Sequence, residues 1–221
     1  MDQYLCLTWF MNYDYNQVAN YANDLTAGLS DQVEKAIILF RHVRDDFRYD
    51  PYRIPLKPEN FKASQVLEQG YGFCITKAVL LAAVARAAGI PARLGFANVR
   101  NHLNTDKLHN LMGTDIFYWH GYTELYLKNR WVKATPAFNK SLCERFGFQV
   151  PDFDGQTDSR FHSLDSEGKL HMEYLADHGS YPDLPYERIM QTWAKHYTSI
   201  LAGQLAAASG GALDTFEKDS F

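Results

Sequence analysis

The chain has 221 residues, of which 46% are apolar and 22% charged, and its net charge is −4. That length supports a substantial core in one domain. The acidic balance, with no run of Lys/Arg, argues against a nucleic-acid partner. The longest apolar stretch, Ala78 to Ala85, is too short to cross a bilayer.

Three cysteines, Cys6, Cys74 and Cys143, form no paired framework and lack CxxC or Cys/His spacing. Neither a disulfide set nor a structural zinc is expected. The start, Met1-Asp2-Gln3-Tyr4, has no basic leader region. The expectation is a cytoplasmic protein with no membrane partner and no cofactor.

In chain order, the apolar, aromatic stretch Tyr4 to Tyr13 allows a leading strand. Asp14 is placed to cap a helix over Tyr15 to Leu25, ended by Gly28. Ser30 caps a second helix, in which Val33, Ile37, Phe40, Val43 and Phe47 recur at helical spacing. It stops near Tyr49, before Asp50-Pro51. Pro51 to Pro58 is a loop, and Ala63 to Gly70 a short helix or turn. Cys74 then opens an Ala/Leu-rich helix that runs to Ala88, with Gly89 as its stop and Pro91 beyond.

Strand signals follow. Ala92 to Val99 alternates, and Arg100 to Asp115, with His102 and His109, reads as a polar loop. Ile116 to Leu127, a Lys128-Asn129-Arg130 turn and Trp131 to Ala134 form a hairpin. Lys140 to Phe146 is a short helix, Asp152 to Gly168 irregular, Leu170 to Leu175 a strand, and Pro185 to Leu205 a last amphipathic helix. One domain is expected over 1–208, with 209–221 a frayed tail.

Cys74 is the residue with the most distinctive placement. At the first turn of a helix, unpaired N–H groups and the positive dipole end favour an anion, and a thiol there can titrate at roughly 3.5–7.5 instead of about 8.5. Such a nucleophile needs a base and an orienter for that base. Of eight histidines, His120 sits early in a strand, in Trp119-His120-Gly121-Tyr122-Thr123-Glu124, and suits the first role.

Taken together, several runs resemble the core of the transglutaminase-like superfamily. They are Gly72-Phe73-Cys74, Arg86-Ala87-Ala88-Gly89-Ile90-Pro91-Ala92-Arg93, His120-Gly121-Tyr122-Thr123-Glu124-Leu125-Tyr126-Leu127 and Arg130-Trp131-Val132, and they span about residues 60 to 139. The resemblance implies a papain-like α+β fold, with the nucleophile helix packed on an antiparallel sheet. It implies Cys74 as nucleophile and His120 as general base. The family's third member, an aspartate before the proline of the hairpin return, is here Thr135, in Thr135-Pro136. Its hydroxyl fixes a tautomer but carries no charge. Asn139 and Asp115 are alternative orienters.

The implied activity is cysteine-dependent acyl transfer, with hydrolysis of an amide or peptide bond favoured over cross-linking by an amine. A second hypothesis, prompted by Thr135, is a weakly active or inactive domain that binds a peptide or glycan strand. The Cys74 N–H belongs to the oxyanion site, with Gln65, Gln69 or Tyr71 as sources of a second donor. Glu124 reads as a structural acceptor. Cys6 and Cys143 read as packing residues, and Trp119 and Trp131 as core or cleft wall. His102 and His109 read as solvated loop residues, with a lid role open, and Phe161-His162 and His171-Met172-Glu173 as surface structure, with cleft lining as the alternative.

Overall fold

The computed structural model describes residues 1–161, 167–197 and Phe216. A nearly all-apolar helix, α4 (Cys74–Ala87), forms its centre, and thirteen of its residues are buried. A helix without a polar face must be covered on all sides. Helices α1 (Asn16–Thr26), α2 (Gln32–Asp45) and α3 (Ala63–Gln69) cover it on one side. Strands β3 (Ala92–Asn101) and β4 (Ile116–Leu127) cover the other.

These strands belong to a four-stranded antiparallel sheet, in the order β5 (Arg130–Ala134), β4, β3, β6 (Met172–Tyr181). A two-residue parallel ribbon, β1 (Arg48–Tyr49) with β2 (Tyr71–Gly72), leads directly into α4. Short helices α5 (Asp106–Met112) and α6 (Lys140–Phe146) and the last helix, α7 (Tyr186–His196), complete the described chain.

Local chemistry explains the boundaries. Asp31, not Ser30, caps α2, accepting from the N–H groups of Val33 at 2.8 Å and Glu34 at 2.9 Å. No side chain caps α1, so Asp14 does not take that role. The Lys128-Asn129 turn has both residues at positive φ, 46° and 64°, the left-handed pair that joins antiparallel strands with the right twist. Gly89 stops α4 at φ 77°.

Several expectations are corrected. Tyr4 to Tyr13 forms no strand; a 3₁₀ turn at Asp2–Tyr4 precedes irregular chain. The second helix ends at Asp45, because Arg48 and Tyr49 pair with Tyr71 and Gly72 instead. The polar stretch Arg100 to Asp115 contains α5, whose first turn is capped by the Thr105 hydroxyl, 3.2 Å from the Leu108 N–H. The strand expected to end at Leu175 runs on through Asp177, His178 and Gly179 to Tyr181 against β3. Most of the expected tail lies outside the described residues. The exception is Phe216, which is buried.

Candidate active site

Cys74 is the first residue of α4, and its side chain lies against β4 where β5 no longer covers that strand. The last β4–β5 pair is Thr123 with Ala134. Beyond it, the Gly121 N–H meets the Cys74 Sγ, as do the N–H groups of Ile75 and of Cys74 itself. This approach requires glycine. A Cβ at residue 121 would stand 3.0 Å from the Ile75 Cα and 3.2 Å from its Cγ1. The Gly121 that lets the strand reach the helix start thereby sets its neighbour, His120, beside Cys74.

The strand also bulges there. Ala97 pairs with His120 and Val99 with Phe117, so two residues of β4 oppose Asn98 alone. Trp119 occupies the bulge at φ 61°, a conformation that costs a bulky residue of order 1–3 kcal/mol and persists only when its surroundings hold it. They do so here. The Trp119 N–H donates to Asn98 Oδ1 at 3.2 Å and its indole N–H to Thr192 Oγ1 at 2.9 Å. Its ring stacks on His178, with centroids 4.3 Å apart. The sequence assigned Trp119 to the core or a cleft wall. Trp119 is indeed buried in the core, and it also forms the bulge before His120.

Cys74 and His120 line one cavity of about 30 Å³, with Tyr49, Phe73, Phe117, Tyr118, Trp193 and Tyr197 among its other walls. That volume holds a water or two. Helix α7 closes it from the side. The Trp193 indole donates to the Tyr118 carbonyl at 3.1 Å, and the Tyr197 hydroxyl donates to the Ile116 carbonyl at 2.9 Å. Phe161 packs over the His120 ring at 4.7 Å. These contributions lie beyond the residues that carried the resemblance. Phe161 takes the cleft-lining role left open in the sequence, whereas nothing in the spacing of Trp193 and Tyr197 pointed to Cys74.

Enclosure reverses the expected electrostatics. Burial pushes the Cys74 thiol up to about 11, against the lowering effect of the Gly121, Ile75 and Cys74 N–H groups. Burial alone pushes His120 down to about 3. The thiol was expected to be acidified by the helix start. In this apolar cavity, loss of hydration outweighs the N–H groups and favours the neutral form of both side chains.

Thr135 is fully buried, and its Oγ1 has no hydrogen-bond partner among the described residues; neither has His120 Nε2. The two therefore do not bond each other in this geometry. The alternative orienters are engaged elsewhere. Asn139 Oδ1 accepts from the Tyr49 N–H at 3.0 Å, and Asp115 pairs with His109 at 2.6 Å on the surface. The suggested oxyanion donors upstream also point away. The Gln65 amide donates to Glu68 and the Gln69 amide to the Tyr71 carbonyl, and the Tyr71 ring lies under Arg53.

Glu124 accepts from Arg93 and, at 2.7 Å, from Ser180, the structural role read from the sequence. His102 pairs with Glu173 at the surface. His171 is buried, contrary to the surface expectation, and packs on Phe148. Cys143 is buried, whereas Cys6 is exposed and packs into no core. His162 lies outside the described residues.

A buried helix that opens on a cysteine, laid on an antiparallel sheet with a histidine at its side, defines the papain-like α+β class. Residues 19–136 match the family model described as the transglutaminase-like superfamily, and the chain belongs to that superfamily. Among solved structures, a "Putative Cysteine Protease" from Cytophaga hutchinsonii is similar at 15% identity and a TM-score of 0.48, covering 80% of this chain and 53% of that one. A "Putative Protease" from Parabacteroides distasonis is similar at 19% identity and a TM-score of 0.39, over 57% of this chain and 26% of that one. The periplasmic domain of TgpA from Pseudomonas aeruginosa is similar at 21% identity and a TM-score of 0.43, over 60% of this chain and 45% of that one. The chain thus spans about half the length of the first of these or less of the others. No curated protein matches it. Among the described residues, no helix is long and apolar enough to cross a membrane.

Proposed function

We propose that the protein is a cysteine-dependent acyl-transfer enzyme that hydrolyses an amide or peptide bond through Cys74 and His120. The observation that carries this reading is the shared cavity of the two side chains, with Cys74 Sγ seated against the Gly121 N–H at the start of a buried helix. A thiol used only for packing needs neither the histidine nor the converging N–H groups.

The chemistry runs from a neutral pair. As Sγ attacks the substrate carbonyl carbon, the thiol proton passes to His120, and the carbonyl oxygen takes the negative charge near the helix start. His120 then returns the proton to the departing amine, leaving a thioester on Cys74. Water attacks the thioester, with His120 taking its proton, and the acid is released. The cavity must widen to admit substrate. Rehydration then moves both groups back toward their ordinary pKa values and makes the proton transfer easier. Thr135 stands at the family's third position but makes no bond to His120 in this geometry.

The test is the rate of Cys74 alkylation by iodoacetamide against pH, in the wild type and in His120→Ala. A rate that falls in His120→Ala across the neutral range supports the dyad. Turnover of a peptide substrate should vanish in Cys74→Ser.

A second reading, a binding domain with little activity, is favoured by the unpaired His120 Nε2 and Thr135 Oγ1. It predicts alkylation of Cys74 that is indifferent to His120→Ala across the whole pH range.

A further inference from the structure

Tyr197, just after α7, is a wall of the Cys74 cavity, and Phe216 meets Tyr49, another of its walls. Phe216 is only 4% exposed. Tyr49 meets its ring at 5.8 Å, Tyr52 at 5.7 Å and Phe146 at 5.6 Å, each edge to face. This is the arrangement aromatic rings prefer when they enclose one another. The three enclosing rings come from β1, the loop after it and α6, so the box is built by elements distant in sequence.

Tyr49 ties the box to the candidate site, because it also lines the cavity that holds Cys74 and His120. Phe146 further meets Phe148 at 5.8 Å in a tilted contact, and Tyr49 meets Phe138 at 4.8 Å edge to face. The box is therefore backed by packed aromatic rings.

We propose that Tyr49, Tyr52 and Phe146 form a subsite for an aromatic side chain of the substrate, and that Phe216 fills this subsite from within the same chain. The inference rests on the acyl-transfer reading and names the substrate class it takes, a peptide or amide with an aromatic side chain near the bond attacked. A tethered side chain competes at an effective concentration of order millimolar. A free ligand must displace it before it can bind.

The test uses the full-length chain and N-acetyl-L-phenylalaninamide, with N-acetyl-L-alaninamide as control. Binding is followed by two-dimensional NMR in the wild type and in Phe216→Ala. The expected result is binding of the phenylalanine amide at least tenfold tighter in Phe216→Ala, with shifts at Tyr49 and Tyr52 and no comparable response to the alanine amide. Phe216→Leu, which keeps an apolar plug, should fall between the two and serves if the alanine variant does not fold. Equal binding in wild type and variant, equal response to the two amides, or shifts remote from Tyr49 and Tyr52 would each overturn the proposal. Because this readout involves no reaction of Cys74, it stands apart from the acyl-transfer reading. That reading fails if alkylation of Cys74 is indifferent to His120→Ala.

Discussion

Lys77 and Arg86 are buried cations on the same helix, and backbone carbonyls surround both. Lys77 Nζ donates to the carbonyls of Arg44, Phe47 and Ala137 at 2.7–2.8 Å. Arg86 donates to the carbonyls of Ala92, Cys6 and Pro182. These two residues fasten α4 to the C-terminal end of α2, to the hairpin return and to the chain after β6. At the start of the helix the pattern inverts. His120 Nε2 and Thr135 Oγ1 are equally buried and have no partner among the described residues. Natural proteins pair buried polar groups wherever structure is the only requirement. The comparison sets the saturated cations that hold α4 in place against His120, which lines the cavity of the thiol with one ring nitrogen unpartnered among the described residues.

Removing a saturated group should break the fold most severely. Lys77→Met leaves three buried carbonyls without a donor, at about 1–3 kcal/mol each. A loss of roughly 4 kcal/mol or more in guanidinium unfolding is expected, and a loss below about 1 kcal/mol would show that the Lys77 contacts are dispensable.

The two glycines at opposite ends of α4 sharpen the contrast. Gly121→Ala should cost about 1–3 kcal/mol by overpacking against Ile75. It should also abolish any His120 dependence of Cys74 alkylation. Gly89→Val, at φ 77°, should cost more than about 1 kcal/mol through left-handed strain while leaving that dependence intact. Alkylation kinetics that respond equally to both variants would mean that Gly121 has no special bearing on the site.

The neutral pair gives stability a pH signature. His120 stays uncharged in the folded chain down to about 3, against an ordinary 6.5. The unfolded chain therefore takes up a proton that the folded chain refuses. Stability falls as the pH drops below 6.5, by up to about 1.4 kcal/mol per pH unit for this residue. Cys74 acts in the opposite sense, keeping its proton up to about 11 against 9.0, so stability falls as the pH rises from 9 toward 11. Urea unfolding of His120→Gln at pH 7.5 and 5.0 should show a smaller loss on acidification than the wild type, and parallel losses would place His120 in contact with water.

The smallest effect is expected at Thr135. Its hydroxyl makes no bond among the described residues, so Thr135→Val should change stability by less than about 0.5 kcal/mol or raise it slightly. A loss above about 1 kcal/mol would show that the hydroxyl is engaged after all.

Much of the scaffold was legible because its signals are local. The apolar run from Ala78 to Ala85, the Gly89 stop and the Lys128-Asn129 turn each dictate their element without help from distant chain. The pairing of Cys74 with His120 was legible through combined motifs. Three other features were not. Nothing in the sequence marks Lys77 as buried, and only assembly of α2, α4 and the hairpin return surrounds it with carbonyls. The thiol's pKa was misjudged because a helix start is visible in sequence, whereas the walls that dehydrate it, Tyr49, Trp193 and Tyr197, arrive from three separate regions. Helix α5 was hidden inside a polar stretch because its cap, Thr105, and its buried Leu108 and Met112 cover too few residues to show a period.

The bulge at Trp119 can also be read as a matter of parity. Along a regular strand, side chains three apart face opposite ways. Phe117 and His120 are three apart, yet both pair with residues of β3 that share a face, Val99 and Ala97, and both reach the same cavity. The additional residue shifts the count by one, so Phe117 before the bulge and His120 after it lie on the same face, and Tyr118, inside the bulge, is a wall as well. Changing the identity of Trp119 strains this arrangement, but deleting the residue would cancel it. Every side chain on one flank would then turn over, and His120 could not share a wall with Phe117.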